Sequence, residues 1–418
     1  MVLGADGPGP LGRRYWQLWS SSGLSNVADG VLQVALPLVA ITYTTNPGQI
    51  AGVALAGRLP WLLFALQAGA ISDRHDRRKI MLGANVGRAT LLAVLAVLVA
   101  FEGGGIAVLY VVAFAIGICE TLYDTSAQSI LPQVVEKDQL SKANGRLYAI
   151  ELTGQSFIGP PLGGLLMAIG AALALGGSSL AWFFAAGVLF FVRGTYRPAE
   201  ASTKSIRADI AEGLRFLWSQ SVIRAMAVLT GICNLASSAV FAVFVLYAVG
   251  PGSAMQLSEP GYGLLLTAAA VGALAGSLVS DRVENLLGRQ LSLVLMLTLG
   301  ALEFAVPALT SNAWAIAASM VLAGAGIVLG NVVMVSLRQR VTPTRLLGRL
   351  NSAYRLIAWG TMPLGALLGG LVADAFGLVP LFWVATIVTL IPLALFGVLT
   401  NANMAAAESE ADENGADD

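Results

Sequence analysis

Gly69-Ala-Ile-Ser-Asp73-Arg74-His75-Asp76-Arg77-Arg78-Lys79 closes one long apolar stretch and opens the next, setting four basic side chains within six positions of a chain that otherwise carries few. Working outward, basic residues cluster again at every second connection between apolar stretches. Arg13 and Arg14 precede the first stretch, and Lys137, Lys142 and Arg146 follow the fourth. Arg193, Arg197, Lys204, Arg207 and Arg215 lie in the middle of the chain, then Arg282 and Arg289, then Arg338, Arg340, Arg345 and Arg349. The intervening connections, near 42–49, 102–105, 170–178, 250–259, 309–313 and 375–379, hold no Lys or Arg. Short loops on the cytoplasmic side of a membrane keep basic residues. The alternation therefore predicts a multi-pass protein of the cell inner (plasma) membrane with both termini cytoplasmic.

The apolar stretches are 16–41, 50–72, 78–101, 105–130, 142–168, 173–193, 222–249, 260–281, 290–309, 313–337, 347–374 and 378–400. Each reaches the roughly 20 residues that a helix needs to cross the hydrocarbon core. The expected fold class is an all-α polytopic membrane protein with twelve transmembrane helices. Composition agrees: 56% of the residues are hydrophobic and only 11% charged, against roughly 25% charged in soluble domains. The first stretch is too long and too polar at its centre for a cleavable signal sequence, so it stays.

The same counts exclude several functions. Net charge is zero and 6 of the 24 acidic residues lie in the tail after Ala407, which speaks against a nucleic-acid partner. Cys119 and Cys233 fall inside apolar stretches with no Cys or His beside them, and His75 is the only histidine, so neither disulfides nor a metal centre is expected. No nucleotide-binding loop and no nucleophile-and-base arrangement appears. The chain reads as no enzyme and as needing no cofactor, with an ion gradient as its energy source.

An internal repeat supplies the architecture. Ser72-Asp73-Arg74 recurs 208 residues on as Ser280-Asp281-Arg282. Gly117 and Asp124 meet Gly324 and Asn331 at 207, and the run Leu140 to Gly163 meets Leu347 to Gly370 at the same offset. The expected organisation is a cytoplasmic arm over 1–15, a six-helix bundle over 16–193, a linker over 194–221, a second bundle over 222–400 and an acidic disordered tail over 401–418. Within the linker, Ile206, Ile210, Leu214, Leu217 and Trp218 recur at helical spacing opposite Arg207, Asp209, Glu212 and Arg215, which predicts an interfacial helix.

The Gly69 to Lys79 segment resembles the loop motif of the major facilitator superfamily, with Asp76 where that family usually has Gly. Gly159-Pro160-Pro-Leu-Gly163-Gly164 resembles the fifth-helix motif of its antiporter branches, with Gly154 as the preceding glycine. More narrowly, Leu131-Pro132, Leu140, Ala143-Asn144-Gly145 and Gly159-Pro160, with Pro343, Leu347-Gly348-Arg349 and Pro363-Leu-Gly365, are similar to bacterial exporters of macrolides, other drugs and siderophores. The resemblance implies two six-helix halves, a proton antiporter and a small amphipathic substrate. The fourth span lacks the Arg that many drug antiporters place there. Physically, Gly69 allows close packing of the second span, and Asp73 can accept hydrogen bonds from the N-terminal amides of another helix. Arg74, Arg77 and Arg78 can pair with acids at nearby helix ends. Together they read as a gate, whereas a topogenic basic loop needs only the charges. Pro160 with its glycines reads as a hinge or leak-blocking kink, with plain packing the alternative.

Charged side chains inside the apolar spans carry the mechanism, because each is costly in hydrocarbon unless it faces a cavity or a partner. They are Asp29, Arg58, Arg88, Glu120, Asp124, Glu151, Glu303 and Arg355. Depth counted along the helices pairs Glu120 with Arg88 and Asp29 with Arg58. Glu120, Asp29 and Asp124 are the candidate proton-coupling acids, since a carboxyl in a cavity can exchange an Arg partner for a proton. A permanent pair that only fixes packing remains the alternative. Phe64, Gln67, Tyr123, Asn234, Phe241, Tyr354 and Trp359 are candidates for a substrate cavity, though such residues also serve as packing. The reading is an exporter of amphipathic small molecules by alternating access, working as a monomer in the lipid bilayer. A dedicated exporter of a siderophore or other secreted metabolite, and a non-transporting receptor on the same fold, stay open.

Overall fold

The computed structural model of the protein describes residues 11–197, 206–250 and 252–415. Helices α1 (Arg13–Tyr43), α2 (Pro47–Ser72), α3 (Arg77–Ala100), α4 (Ile106–Ile130), α5 (Leu140–Leu152), α6 (Gly159–Ile169) and α7 (Ala171–Phe190) make up the first half. Then follow α8 (Ile206–Ser219), α9 (Ser221–Phe241), α10 (Phe244–Ala248), α11 (Glu259–Leu309), α12 (Ala313–Val341), α13 (Thr344–Phe376), α14 (Leu378–Leu390) and α15 (Asn401–Gly415). Among the described residues the only extended pairing is a single bridge between Val249 and Leu257.

Ten of these segments are long and apolar enough to cross a membrane. Two local features account for the difference from the twelve stretches in the sequence. Helix α11 runs on for 51 residues, but Gly288 at φ +76° breaks it, so two apolar segments are joined where a loop over 282–289 is expected. Only a residue without a side chain adopts that conformation freely. Residues 140–169 divide into α5, a π-turn over Thr153–Ile158 and α6. Pro160, lacking an amide hydrogen, enters the start of α6, and the widened turn lies just before it. The fold is all-α and polytopic, and the two interruptions accommodate the twelve crossings expected.

The chain divides into two compact units, described separately. Unit 1 comprises Met1–Tyr43, Leu59–Ser202 and Ser258–Leu264; unit 2 comprises Thr44–Arg58, Thr203–Leu257 and Leu265–Asp418. In unit 1, α1 packs on α5, α6 and α7, and α3 packs between α4 and α7. Close approach of α1 to the fifth-span motif depends on missing side chains: a Cβ on Gly159 would stand 2.5 Å from the Cα of Gly30, and one on Gly154 3.1 Å from the carbonyl of Gly23. In unit 2, α9 packs along α13 and α14, while α8 lies against α13. Leu217 of α8 is buried in that unit's core and Trp218 is exposed.

The tail departs from its expected disorder. Residues 401–415 form α15, which buries Met404 and sets Glu408 3.0 Å from Arg289 and 3.6 Å from Arg340. An acidic segment is ordered here by docking Met404 and Ala407 into the core and by a basic counterpart on α11 and α12. Most of the expected arm (residues 1–10), residues 198–205 of the linker and residues 416–418 lie outside the described residues.

Candidate functional site

In unit 1 four helices converge on one buried guanidinium. Arg88, on α3, is 1% exposed. Its Nη1 donates to Asp29 Oδ1 of α1 at 3.1 Å, and its Nη2 donates to Ser25 Oγ at 3.0 Å and to Asn85 Oδ1 at 2.5 Å. The faces of the guanidinium are covered by Tyr123 of α4 and Trp182 of α7, whose ring centroids lie 4.7 and 4.8 Å from the central carbon. A buried charge is tolerated only when paired and hydrogen-bonded, and the rings add cation–π attraction that strengthens as water is removed. Helical spacing supplies the partners: Ser25 and Asp29 are four apart on α1, and Asn85 and Arg88 three apart on α3.

The cage is not saturated. Arg88 Nε, Asn85 Nδ2 and Tyr123 Oη are buried without a hydrogen-bond acceptor or donor among the described residues. Asp29, unlike Arg88, keeps a 21% exposed side chain. Glu120 and Asp124, one turn apart on α4, are both half-buried and lie within electrostatic range of Asp29. Neither makes an ion pair among the described residues. Three acids therefore share one buried base. Glu151 lies within electrostatic range of Asp124 and accepts a hydrogen bond from Ser22 Oγ at 3.0 Å.

The pairing expected from depth is corrected here. Arg88 takes Asp29, not Glu120, and Arg58 is exposed with no ion pair among the described residues. Depth along a helix fixes one coordinate, whereas the direction of the side chain around the axis selects the partner. In unit 2, Glu303 is 7% exposed with no ion pair among the described residues, and the Arg355 guanidinium lies 4.2 Å from the Trp359 ring centroid.

Several of the cavity candidates are engaged in packing. Tyr123 is buried under Arg88. Tyr354 is buried under Arg338, with its hydroxyl 2.6 Å from Thr230 Oγ1. Asn234 donates to the Ala358 carbonyl at 2.7 Å, Phe241 packs edge-on to Phe244, and Phe64 edge-on to Phe114. Gln67 and Trp359 are exposed.

The basic loop is held differently from the reading of its sequence. A Cβ on Gly69 would meet nothing within 4 Å, so this glycine makes no close helix contact. Among the described residues Asp73 pairs only with Arg77, at 3.8 Å, and caps no neighbouring helix. Asp76 is the capping residue instead: it accepts from the amides of Arg78 at 3.1 Å and Lys79 at 3.4 Å at the start of α3, and from the Tyr196 amide at 3.3 Å. Arg77 donates to the Ser129 carbonyl, and Arg78 to the Leu189 and Phe190 carbonyls at the end of α7. Burial pushes the Tyr196 phenol above its ordinary value, opposed by the nearby Arg14 and Arg78. Arg74 is exposed. The loop thus ties α3 to carbonyls at the ends of α4 and α7. In the fifth-span motif, Gly163 lies against Val31 of α1, and a Cβ on Gly164 would meet the backbone of Glu259 and Pro260.

Sequence reasoning missed Ser25, Asn85 and Trp182 around Arg88. It also missed the Glu212–Arg349 ion pair between α8 and α13 and the Arg338–Tyr354 contact. The i,i+3 and i,i+4 spacings could have revealed the first two; the others join residues far apart in the chain.

Serial apolar helices around buried charges, with paired halves in the sequence, fit the major facilitator fold, and solved structures share that fold. The nucleoside transporter NupG is similar with a TM-score of 0.74 over 94% of this chain and 99% of that one, at 12% identity, a likeness of fold alone. The profile of the transmembrane secretion effector family matches residues 9–416, and the chain belongs to that family of the major facilitator superfamily. It is 28% identical over 400 residues to the multidrug efflux pump Tap of Mycolicibacterium fortuitum, covering 90% of this chain and 92% of that protein. It is likewise 28% identical over 358 residues to the enterobactin exporter EntS of Salmonella choleraesuis (strain SC-B67), covering 83% of each.

Proposed function

We propose that the protein exports small amphipathic molecules, drug-like in character, by proton antiport and alternating access. It acts as a monomer in the cell inner membrane, with both termini cytoplasmic, no cofactor and no catalytic chemistry. The observation that carries the reading is the arrangement of Asp29, Glu120 and Asp124 around Arg88. Desolvation by the surrounding helices disfavours several simultaneous negative charges near one positive charge. Proton uptake by one acid relieves that imbalance, and a cationic substrate relieves it equally. Competition between the two for the same acids couples proton entry to export. Asp29, hydrogen-bonded to Arg88 and partly exposed, is the first candidate carrier, and Glu120 and Asp124 complete the set.

The enterobactin exporter relative supports a second reading, a dedicated exporter of a siderophore. Purified protein in vesicles decides between them when flux of a cationic amphipathic dye and of a catecholate siderophore is measured with an inward proton gradient imposed and then collapsed. Gradient-accelerated dye flux in the parent, lost in a folded Asp29→Asn variant that still binds dye, is the expected result. Flux of the siderophore alone would favour the second reading. Dye flux that ignores the gradient in the parent would overturn proton antiport, and a variant as responsive as the parent would remove Asp29 from the coupling role.

A further inference from the structure

The seam between α1 and α5 in unit 1 opens into a pocket that takes no part in the Arg88 cluster. Two hydrogen bonds one turn apart close the seam, from Tyr15 Oη to the Ala143 carbonyl at 3.0 Å and from Trp19 Nε1 to the Arg146 carbonyl at 3.1 Å. Beside them lies a cavity of about 310 Å³ lined by Trp16, Trp19, Arg146, Ala149, Ile150 and Thr153. Trp16, 41% exposed, stands edge-on to Trp19 at 5.5 Å. The Arg146 guanidinium lies 5.5 Å from the Trp16 ring centroid.

We propose that this pocket binds the headgroup of one anionic phospholipid. A guanidinium held beside an indole face keeps N–H donors that match the paired oxygens of a phosphodiester. Arg146 makes no side-chain hydrogen bond and no ion pair among the described residues, so those donors are open to a ligand. Arg13, Arg14, Lys137 and Lys142 are exposed around the same ends of α1 and α5, against the exposed acids Glu136 and Asp138, and none of the four bases is neutralised by an ion pair among the described residues. A pocket with this charge excess selects an anion.

The depth selects a lipid rather than a free anion. Trp16 and Trp19 sit within the first two turns of α1, roughly 5–9 Å along the axis from its basic start, the level at which indoles anchor at the headgroup boundary. The cavity is small for a whole amphipath, at the low end of ligand pockets. Ile150 and the tryptophan rings offer an apolar wall for the start of an acyl chain, which inorganic phosphate cannot use.

Native mass spectrometry of the full-length protein, delipidated in mild detergent, tests the proposal. Phosphatidylglycerol, phosphatidylcholine of matched chains and inorganic phosphate are titrated separately and in competition. The expected result is one retained phosphatidylglycerol, no retained phosphatidylcholine and no displacement by phosphate. Arg146→Gln should weaken retention about tenfold or more with an unchanged melting temperature, and Arg146→Lys should weaken it less. Should Arg146→Gln lose its fold, Trp16→Leu removes the stacking face alone and should show the same loss of retention. Equal retention of the two lipids, displacement by phosphate alone, or parent-like retention in a folded Arg146→Gln or Trp16→Leu protein would overturn the assignment.

Discussion

Arg88 is held by one carboxylate, two neutral oxygens and two ring faces, so its charge is a structural commitment as much as a functional one. Removing one partner of a buried pair typically costs about 3–5 kcal/mol, whereas replacing both by apolar groups of similar volume is often close to neutral. Arg88→Ala is therefore expected to lower the melting temperature and the folded yield sharply, and Asp29→Leu combined with Arg88→Met to restore much of both. Thermal denaturation of the three proteins in detergent checks this, and a double variant no better than Arg88→Ala would show that the cage depends on the charges themselves. The rescued protein also separates structure from coupling, because it should fold yet transport without acceleration by a proton gradient. Asp29 and Arg88 were legible in the sequence as charges in apolar spans, since that cost is paid whatever the packing. Their pairing was not legible, because it depends on the rotation of α1 against α3, to which a count of helical rise is blind.

At the scale of elements, two motif glycines behave oppositely in the fold. Gly159 is wedged against Gly30 of α1, where a Cβ would lie 2.5 Å from backbone, whereas Gly69 faces open space. Overpacking a tight contact costs about 1–3 kcal/mol, while replacing an unconstrained helical glycine by alanine gains about 0.5–1 kcal/mol. Gly159→Ala should therefore lower the melting temperature, and Gly69→Ala should leave it unchanged or raise it. Equal losses in both would mean that the α1–α6 contact is not the reason for the fifth-span glycines. The π-turn before Pro160 was foreshadowed by the proline, which signals an interruption without saying on which side the helix gives way. Helix α15 was hidden because its acidic composition matches a solvated tail. What orders it, the core that takes Met404 and Ala407 together with Arg289 and Arg340 facing Glu408, is distributed over elements that are distant in sequence.

At the scale of the whole molecule, the alternation of connections with and without basic residues is the most legible property, because it resides in loop composition and needs no knowledge of packing. The repeat of Ser72-Asp73-Arg74 as Ser280-Asp281-Arg282 is legible for the same reason, although the two copies end in different structures. The first leads into a loop capped by Asp76, while the second continues along α11 as far as the break at Gly288. A basic cluster thus marks a side of the membrane, and the local geometry there is decided separately. Sidedness is tested with single cysteines in a background where Cys119 and Cys233 are replaced by serine. Cysteines at the exposed positions Thr45 and Ser311 should react with an impermeant thiol reagent added to intact cells. Cysteines at His75, Lys142 and Asn285, exposed at the opposite helix ends, should react only after the membrane is permeabilised. Labelling of the second group in intact cells would invert the topology. Exporting the same substrate would then require the acids around Arg88 to take up protons from the other side, so the labelling result fixes the direction of the gradient against which coupling is measured.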